Sequence, residues 1–514
     1  MIVVVARGTG AIVARTSTVR VPVLLSPVLG RLRFGPVRAA VAGNRSFSVL
    51  LLAGIVLRVF VVLGFPPALW FNDSFDFLRI ADGPFPHPLR PSGYGLFLWG
   101  LKPFHSLALV TAVQHAAIVG IAVVGYAALV RNFGVRRWVA ALAVAPLLLD
   151  AYQAELEHLV LSDTVFTVLI LGAMLLLARP GGAGWRRAGL VGALLGVAAV
   201  TRTVGVPLFV IALLYLLLRR VRWTSFAALA AAFVLPLGGY AVWFHSDYGR
   251  FGMTGVDGIF LWGRTSTFAD CDRHRPPADL AHLCPYGSPD ERPAASHQIW
   301  VENSPTGWTN GKPFDERTNE QAQEFALWAI RTQPLDYAKA VSYDFFVRTF
   351  SWKRHRYPTV GTEARYHFPT RPWAQGEKPL PLIGGGDRVS VVREYGHGSG
   401  RTHIVDPFAG WLRAYQKQVF VRGTMLGAVL LAGLAGLLLR RRGRRREIAL
   451  LWVTSVTLLA IPPVTVDFDY RYMLPAVPFA CFAAALAWGR RKAPDGPGAT
   501  RAESEEAEVQ PAKA

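Results

Sequence analysis

Residues 188–218 read AGLVGALLGVAAVTRTVGVPLFVIALLYLLL, and the interpretation of this apolar stretch decides the fold. The polar tripeptide TRT at 201–203 interrupts it near the middle. As one tilted helix, the stretch would place the basic segments RPGGAGWRR (179–187) and RRVRW (219–223) on opposite faces of a membrane. As two helices, it keeps both segments on the same face, in agreement with the positive-inside rule.

The depth of the interruption has a consequence for Arg202. Two helices of roughly 14 residues reach only about 21 Å each, so the turn between them lies within the outer leaflet. Non-helical backbone at that depth is tolerated where protein covers it or where it lines a water-filled cavity. The sequence therefore predicts that Arg202 faces a cavity open to the outside. The alternative is an arginine that snorkels to the lipid headgroups.

The composition indicates a membrane protein. Of the 514 residues 52% are hydrophobic, the mean hydropathy is +0.30, and the apolar residues form long runs. A formal net charge of +21 would suggest a nucleic-acid partner for a soluble protein. Here the arginine clusters lie between apolar runs, where cytoplasmic links carry them, so nucleic-acid binding is not expected.

We predict an all-α polytopic fold of about ten transmembrane helices. Basic and acidic links alternate between the apolar runs, so ten spans with both termini in the cytoplasm place every basic link inside and every acidic link outside. The predicted spans lie near 47–64, 105–130, 137–152, 160–178, 188–201, 204–218, 224–244, 420–439, 448–465 and 471–488.

The same pattern divides the chain into five parts. One α-containing extracytoplasmic domain is expected between spans seven and eight, and within it residues 374–399 are rich in Gly and Pro and predict a loop. The parts are a basic disordered cytoplasmic leader (1–46), an N-terminal membrane domain (47–244) with a catalytic first outer loop (65–104), the extracytoplasmic domain (245–419), C-terminal membrane helices (420–488) and a disordered tail (489–514).

The first outer loop carries the first acidic residue of the chain, Asp73. In the segment WFNDSFDFLRIA (70–81) apolar residues recur at helical spacing, which predicts a helix lying flat on the outer surface. Asp73 and Asp76 are three positions apart and share one face of that helix. Arg90 follows in a rigid, Pro-rich stretch that ends at Tyr94 and offers a fork for phosphate. The alternative is a solvated helix face with Asp73 as the N-terminal cap.

Further polar residues lie at two other outer turns. His158 and Asp163 belong to the second outer hairpin, with Asp163 just inside an apolar helix, where an ionisable residue is a functional candidate. The alternative is that Ser162 and Asp163 cap this helix. Arg471 lies in the last outer turn beside two acids, and a mutual ion pair with them is the alternative to a functional role there.

Carboxylates and arginines at one membrane face suit a reaction between a lipid-borne phosphate and a polar acceptor. An Asp could accept the proton of an attacking hydroxyl, and arginines could hold the leaving phosphate. The sequence has no Gly-rich phosphate loop and no His/Cys zinc ladder, and little soluble chain is predicted on the inside. An activated donor must therefore reach the outer face attached to a lipid.

Two of the three cysteines, Cys271 and Cys284, lie in the predicted extracytoplasmic domain. Twelve residues separate them, and a disulfide closing such a loop stabilises by roughly 3 kcal/mol in an oxidising compartment. The same cysteines with His274 and His282 also fit a zinc site on spacing. The compartment and the Pro- and Arg-rich loop favour the disulfide.

Five segments together resemble the GT-C superfamily of membrane glycosyltransferases, of the polyprenyl-phosphate-sugar-dependent type that includes protein O-mannosyltransferases and aminoarabinose transferases of lipid A. The family has an Asp-Glu or Asp-Ser pair in the first outer loop, and here Ser74 occupies the position where some members have Glu. Asp163 occupies a position where Glu is commoner. The segments are Asp73-Ser74, RPSGY (90–94), LSDTVF (161–166), AAVTR (198–202) and DYRYMLP (469–475).

The resemblance implies inverting transfer of a sugar from a polyprenyl-phosphate donor to an envelope glycan, lipid or protein on the outer face of a membrane, here expected to be a bacterial plasma membrane. It makes Asp73 the general base or the acid that orients the acceptor, with Asp73 as general base the role predicted here, and it implies no nucleotide sugar and no required cofactor, although a divalent metal stays possible. The other residues expected to bind substrate are Asp76, Arg90, Tyr94, His158, Asp163, Arg202 and Arg471. The competing hypotheses are a transporter or flippase of lipid-linked sugars and a non-catalytic assembly protein.

Overall fold

The computed structural model describes residues 44–301, 303–352, 366–373, 377–439 and 444–489, and the predicted leader and tail lie almost wholly outside them. Within the described residues, strand-type pairing is confined to two isolated bridges, Leu69 with Leu159 and Pro381 with Asp387. The helices are α1 Arg45–Gly64, α2 Asn72–Asp82, α3 Gly93–Leu101, α4 Leu107–Ala127, α5 Arg137–Leu149, α6 Ala151–His158, α7 Asp163–Ala178, α8 Trp185–Thr201, α9 Gly205–Leu218, α10 Trp223–Tyr248, α11 Asp257–Ser266, α12 Ala295–Trp300, α13 Glu316–Thr332, α14 Pro334–Ser342, α15 Arg388–Gly396, α16 Phe408–Gln416, α17 Gly423–Leu439, α18 Arg445–Thr465 and α19 Val477–Trp488.

Each of the ten predicted spans coincides with a helix, and the described chain is an all-helical, multi-pass membrane protein. By length and apolarity five helical segments in the described residues can cross a bilayer, and a sixth if α5 and α6, bent by 47°, form one broken span. Helices α7, α9 and α17 are apolar but shorter. Ten crossings therefore stay a prediction. The five long segments are Arg45–Gly64, Leu107–Asn132, Trp223–Tyr248, Arg445–Thr465 and Tyr470–Trp488.

The stretch 188–218 forms two helices. Helix α8 ends at Thr201, Arg202 has extended backbone, and α9 begins at Gly205. Gly205 permits this sharp turn, because a Cβ there would lie 2.7 Å from the backbone nitrogen of Ala199. At the other end of α9, Arg219 Nη1 lies 2.8 Å from Glu447 Oε1, which ties the helix to the start of α18.

A buried polar network joins α1, α4 and α6. Arg58 on the first membrane helix is bidentate to Glu157, with Nη2–Oε1 at 2.7 Å and Nε–Oε2 at 2.8 Å. Glu157 also lies 2.8 Å from Nδ1 of His115, whose Nε2 is 3.1 Å from Nδ1 of His158. Charges buried in an apolar core need such partners, because an unpaired one costs several kcal/mol. The network holds α6, and the backbone of Leu69 pairs with its end, just before α2.

The polar region 245–419 has its own core, built mainly by α11 and α13. Trp262 and Phe325 are fully buried there, and Trp262 Nε1 donates to the carbonyl of Leu283 at 2.9 Å. Cys271 and Cys284 form a disulfide, with Cα atoms 6.2 Å apart, and this bond takes up both thiols that a zinc site would need.

The stretch 374–399 was expected to be a loop, and this is wrong for its second half. Asp387 accepts hydrogen bonds from the backbone nitrogens of Val389 and Ser390, while the Ser390 hydroxyl accepts from the backbone nitrogen of Asp387. This reciprocal cap starts α15 directly after three glycines with positive φ, Gly384 to Gly386. The glycines that predict a loop therefore end immediately before the helix.

The ten-span arrangement predicts that position 310 faces the outside and position 220 the cytoplasm. In a Cys481→Ser background, Asn310→Cys should react with a membrane-impermeant maleimide in intact cells. The matched variant Arg220→Cys should react only after the cells are permeabilised. Both side chains are exposed, so burial does not explain a difference. Protection of position 310 in intact cells would overturn the arrangement.

Candidate active site

A cavity of about 1410 Å³ lies between the membrane helices and the polar region. Its wall is assembled from segments far apart in the sequence, namely α2, the chain at 89–91, the start of α7, the α8–α9 turn, α11, α12, the end of α18 and the chain at 466–475. Of the eight predicted catalytic and substrate-binding residues, six line it: Asp73, Asp76, Arg90, Asp163, Arg202 and Arg471.

Helix α2 presents two carboxylates to one arginine. Its buried face holds Phe75 and Leu78, and the buried Ser74 hydroxyl accepts a hydrogen bond from the backbone nitrogen of Phe71 at 2.9 Å. Asp73 is therefore not the side-chain cap of this helix. Arg90 spans both acids, with Nη1 2.8 Å from Asp73 Oδ1 and Nη2 2.8 Å from Asp76 Oδ2.

A second arginine reaches Asp73 from the far end of the chain. Nη1 of Arg471 lies 3.3 Å from Asp73 Oδ2, and Nε lies 3.3 Å from Asp469 Oδ2. The Arg471 guanidinium also lies 4.5 Å from the ring centroid of Phe71. Asp469 in turn accepts a hydrogen bond from the hydroxyl of Tyr366. The ion pair proposed as the alternative for this turn exists, and it extends to Asp73.

The third arginine, Arg202, makes polar contacts with the protein through fewer of its nitrogens. Arg202 Nη1 lies 2.6 Å from Asp163 Oδ1, and the same nitrogen is 3.5 Å from the Ser162 hydroxyl. The guanidinium lies 5.2 Å from the ring centroid of Tyr472. Among the described residues these polar contacts use Nη1 alone, which leaves Nε and Nη2 available to a ligand. Arg202 lines the cavity, in agreement with the interpretation of the helix break.

The two acids of α2 differ in electrostatic environment. Burial raises the pKa of both carboxyl groups, because it disfavours the charged form. For Asp73, attraction to Arg90 and Arg471 outweighs burial and lowers the pKa well below its usual range. For Asp76, burial outweighs the attraction of Arg90, and repulsion from Asp73 adds to it, so the pKa is raised. Asp73 is thus the firmly ionised member of the pair.

His87 lies behind Asp76 and is completely buried. Its Nδ1 accepts a hydrogen bond from the backbone nitrogen of Leu89 at 3.2 Å, which places the ring proton on Nε2. Within the described part of the chain Nε2 has no hydrogen-bond partner, and it lies 3.8 Å from Asp76 Oδ1. Burial, followed by the nearby Arg90 charge, lowers the histidine pKa well below 6.5, so the ring is neutral. It can donate to Asp76 after a small movement.

Tyr94 and His158 do not line the cavity. The Tyr94 hydroxyl donates to Gln114 at 2.8 Å, and its ring packs edge-on against Phe77 of α2, with centroids 4.9 Å apart. His158 belongs to the buried network, where Nε2 is 2.9 Å from the carbonyl oxygen of Phe65. Tyr94 thus supports the cavity-lining Phe77 from behind, whereas His158 belongs to the network that holds α6.

The cavity also contains charged residues that the sequence interpretation did not assign to the site. Arg388, at the start of α15, lines the wall and lies 5.0 Å from the ring centroid of Phe75. Asp467 and Asp469 line it as well. Among the described residues, no group of three or more His, Cys, Asp or Glu side chains is arranged to hold a metal ion.

No protein-family model matches this sequence, and no curated protein matches it. Among solved structures, the crystal structure of ArnT from Cupriavidus metallidurans in the apo state is similar, at 16% identity over 86% of this chain and 76% of that chain, with a TM-score of 0.32. A likeness at this TM-score establishes neither the fold nor the activity of this chain.

Asp467 makes the cavity wall sensitive to pH. It is buried, accepts a hydrogen bond from the backbone nitrogen of Ser296 at 3.1 Å, and burial raises its pKa from 3.8 to about 6. A raised pKa in the folded state favours folding at pH below 3.8, and this contribution is lost as the pH rises through 6. The difference corresponds to about 3 kcal/mol at most.

Asp467→Asn should therefore raise the thermal unfolding temperature at pH 8 and leave it nearly unchanged at pH 4, because the amide keeps the acceptor without a charge. Unfolding of the detergent-purified protein across this pH range measures the effect. Asp290→Asn, which changes an exposed acid outside the cavity, serves as the control. Equal stabilisation by Asp467→Asn at both pH values would contradict the assignment.

Proposed function

We propose that this chain is an inverting glycosyltransferase of the GT-C type, which transfers a sugar from a polyprenyl-phosphate donor to an envelope acceptor at the outer face of the membrane. One observation carries the proposal. Three arginines converge on one cavity, each with a carboxylate within 2.6–3.3 Å. Arginine forks suit a phosphate group, and a carboxylate beside them suits removal of a proton from an acceptor hydroxyl.

Arg202 is the first residue assigned to the donor phosphate. It lies at the break between two membrane helices. A lipid-anchored phosphate is expected at the same depth in the bilayer as this break. Its Nε and Nη2 have no protein partner among the described residues, and the side chain is partly exposed to the cavity. The phosphate can bind these donors without displacing Asp163. Arg471 is the second ligand of the phosphate in this proposal.

Binding of the phosphate also changes Asp73. Arg90 and Arg471 hold its pKa below the usual range, so in the free protein it is a weak base. A phosphate that recruits Arg471 withdraws one of these charges and makes Asp73 more basic when the donor is in place. Asp76 keeps Arg90 nearby, and His87 can donate to Asp76 as Arg90 shifts.

The transfer then proceeds in one displacement. Asp73 accepts the proton of the acceptor hydroxyl while the hydroxyl oxygen bonds to the anomeric carbon of the donor sugar. The bond from that carbon to the phosphate oxygen breaks, and the electron pair leaves with the polyprenyl phosphate. Arg202 and Arg471 stabilise the charge that develops on the leaving oxygen. Attack on the side opposite the phosphate inverts the anomeric configuration.

Asp73→Asn is expected to reduce transfer by about 100- to 10,000-fold, the range for loss of a general base. Donor binding should be retained, because the amide leaves the arginines in place with less competing negative charge. Transfer of radiolabelled sugar from a polyprenyl-phosphate donor and donor affinity are measured on the same preparation.

The matched control is Asp82→Asn, on the same helix but outside the cavity, where the carboxylate pairs with Lys102. This variant should transfer sugar at the rate of the unmodified protein. Full activity in Asp73→Asn would exclude Asp73 as the base.

Arg202→Ala should raise the Kd of the donor about 10- to 100-fold, which matches loss of a charge-assisted hydrogen bond. Turnover at saturating donor should fall less. Arg202→Lys should recover only part of the affinity, because an ammonium group cannot offer two parallel donors.

Arg250→Ala is the control for this series, because Arg250 lies outside the cavity and pairs with Glu316. Donor affinity is measured by competition with a fluorescent polyprenyl phosphate in nanodiscs. An unchanged Kd in Arg202→Ala would refute the phosphate role.

A further inference from the structure

We call Arg90, Arg202 and Arg471 the arginine cluster. The part of the cavity that the polar region builds has a different character from this cluster. Its wall includes the aromatic rings of Phe260, Trp300 and Trp308, and we call these three residues the aromatic wall. The side chains of Asp257, Asn310 and Gln323 line the cavity with them and are exposed. A carboxylate and two amides thus accompany two indoles and a phenyl ring.

The aromatic wall is held rigidly. The Trp300 and Trp308 rings meet edge to face, with centroids 4.7 Å apart and an angle of 82° between planes. Phe260 meets Trp300 at 6.2 Å and 72°. All three pack against the buried core that contains Trp262 and Phe325. Their orientation is therefore set before a ligand arrives, and little conformational entropy is lost on binding.

A hydrogen bond also links the helix that carries Trp300 to the turn that carries Arg471. Helix α12 ends at Trp300, and near its start the backbone nitrogen of Ser296 donates to Asp467. Asp467 lies four residues before Arg471 in the last outer turn, and both residues line the same cavity. A ligand on the aromatic wall and a phosphate at Arg202 would thus occupy one continuous space.

This mixture of aromatic and polar side chains suits a sugar ring better than an acyl chain. A pyranose or furanose ring carries C–H bonds with partial positive charge on one face, which are attracted to the electron-rich face of an indole. Its hydroxyl groups need both donors and acceptors, which carboxylate and amide side chains supply. An acyl chain would use the apolar area but would leave these three polar side chains poorly solvated.

We propose that the aromatic wall is the acceptor subsite and that the acceptor it binds is a carbohydrate. The assignment as acceptor subsite rests on the proposed glycosyltransferase function, whereas carbohydrate binding at the aromatic wall can be tested without any reaction. Sugar rings stack on Trp300 and Trp308, and Asp257, Asn310 and Gln323 bind their hydroxyls. The acceptor hydroxyl then points toward Asp73.

The test uses soluble oligosaccharides as probes. The full-length protein in nanodiscs is titrated with mannotriose, galactotriose, maltotriose and xylotriose, and binding is followed by saturation-transfer NMR and tryptophan fluorescence. At least one trisaccharide should bind with millimolar or better affinity. Absence of binding by all four at millimolar concentration would overturn the proposal.

Substitutions at Trp308 separate stacking from apolar contact. Trp308→Leu keeps an apolar side chain but removes the aromatic face, and should raise the oligosaccharide Kd at least about tenfold, as expected for a central anchor. Trp308→Phe should restore part of the affinity. Trp411→Leu is the matched control, since Trp411 lies on α16 outside the cavity. Unchanged affinity in Trp308→Leu would refute stacking.

Two readouts keep this proposal separate from the donor assignment. Trp308→Leu should leave binding of the fluorescent polyprenyl phosphate unchanged, and Arg202→Ala should leave oligosaccharide binding unchanged. If oligosaccharides bind at Trp308 but no donor sugar is transferred, the carbohydrate site stands and the glycosyltransferase assignment fails. Tighter binding of dodecyl phosphate than of every trisaccharide at Trp308 would identify a lipid site and overturn the proposal.

Discussion

The ion pair between Arg471 and Asp73 joins residues that are 398 positions apart in the chain. It brings the chain at 466–475 onto α2, and both segments line the cavity. Both side chains are largely shielded from solvent, so each would be costly to bury alone. Arg90 on one side and Asp469 on the other extend the pair into a chain of alternating charges.

The charges in this chain neutralise one another without a ligand, but a bound anion would change how they pair. Every arginine of the arginine cluster already pairs with a carboxylate. An anion can therefore bind only to a guanidinium N–H group that is still free, or in place of one of the carboxylates. Arg202 offers remaining donors, whereas each nitrogen of the Arg471 guanidinium lies within 3.3 Å of an oxygen of Asp73, Asp469 or Tyr472. In the proposed mechanism the phosphate therefore binds free donors on Arg202 and shares Arg471 with these residues. Sharing Arg471 is the proposed step that changes the basicity of Asp73.

Several of these features were predictable from the sequence for physical reasons. The long apolar runs located the helices, because a helix that crosses a bilayer needs about 20 mainly apolar residues. The break at Arg202 followed from the polar tripeptide at 201–203 and the basic segments on both sides of this stretch. The three-residue spacing of Asp73 and Asp76 placed both on one face of α2. Each inference needed only a local pattern and a known length scale.

Other features depend on contacts that no local pattern encodes. Tyr94 and His158 are polar and lie in the expected segments, but their partners, Gln114 and the carbonyl of Phe65, belong to other elements and turn them away from the cavity. Arg58 lies within the first predicted span, and its burial depends on the distant Glu157 and on the carbonyls of Leu147 and Leu148. Arg388 lay in a segment whose glycines suggested a loop, although the cap formed by Asp387 and Ser390 starts a helix there.

In the proposed reaction, the two halves of the cavity bind different substrates. The arginine cluster is carried by the segments at 89–91, 201–204 and 466–475, and the proposed donor phosphate binds there. The aromatic wall packs against a core that contains Trp262, Phe325 and Leu89 and that the Cys271–Cys284 disulfide borders. Asp467 connects the halves, because its carboxyl group accepts from Ser296 of α12 while its backbone leads into the turn that carries Arg471.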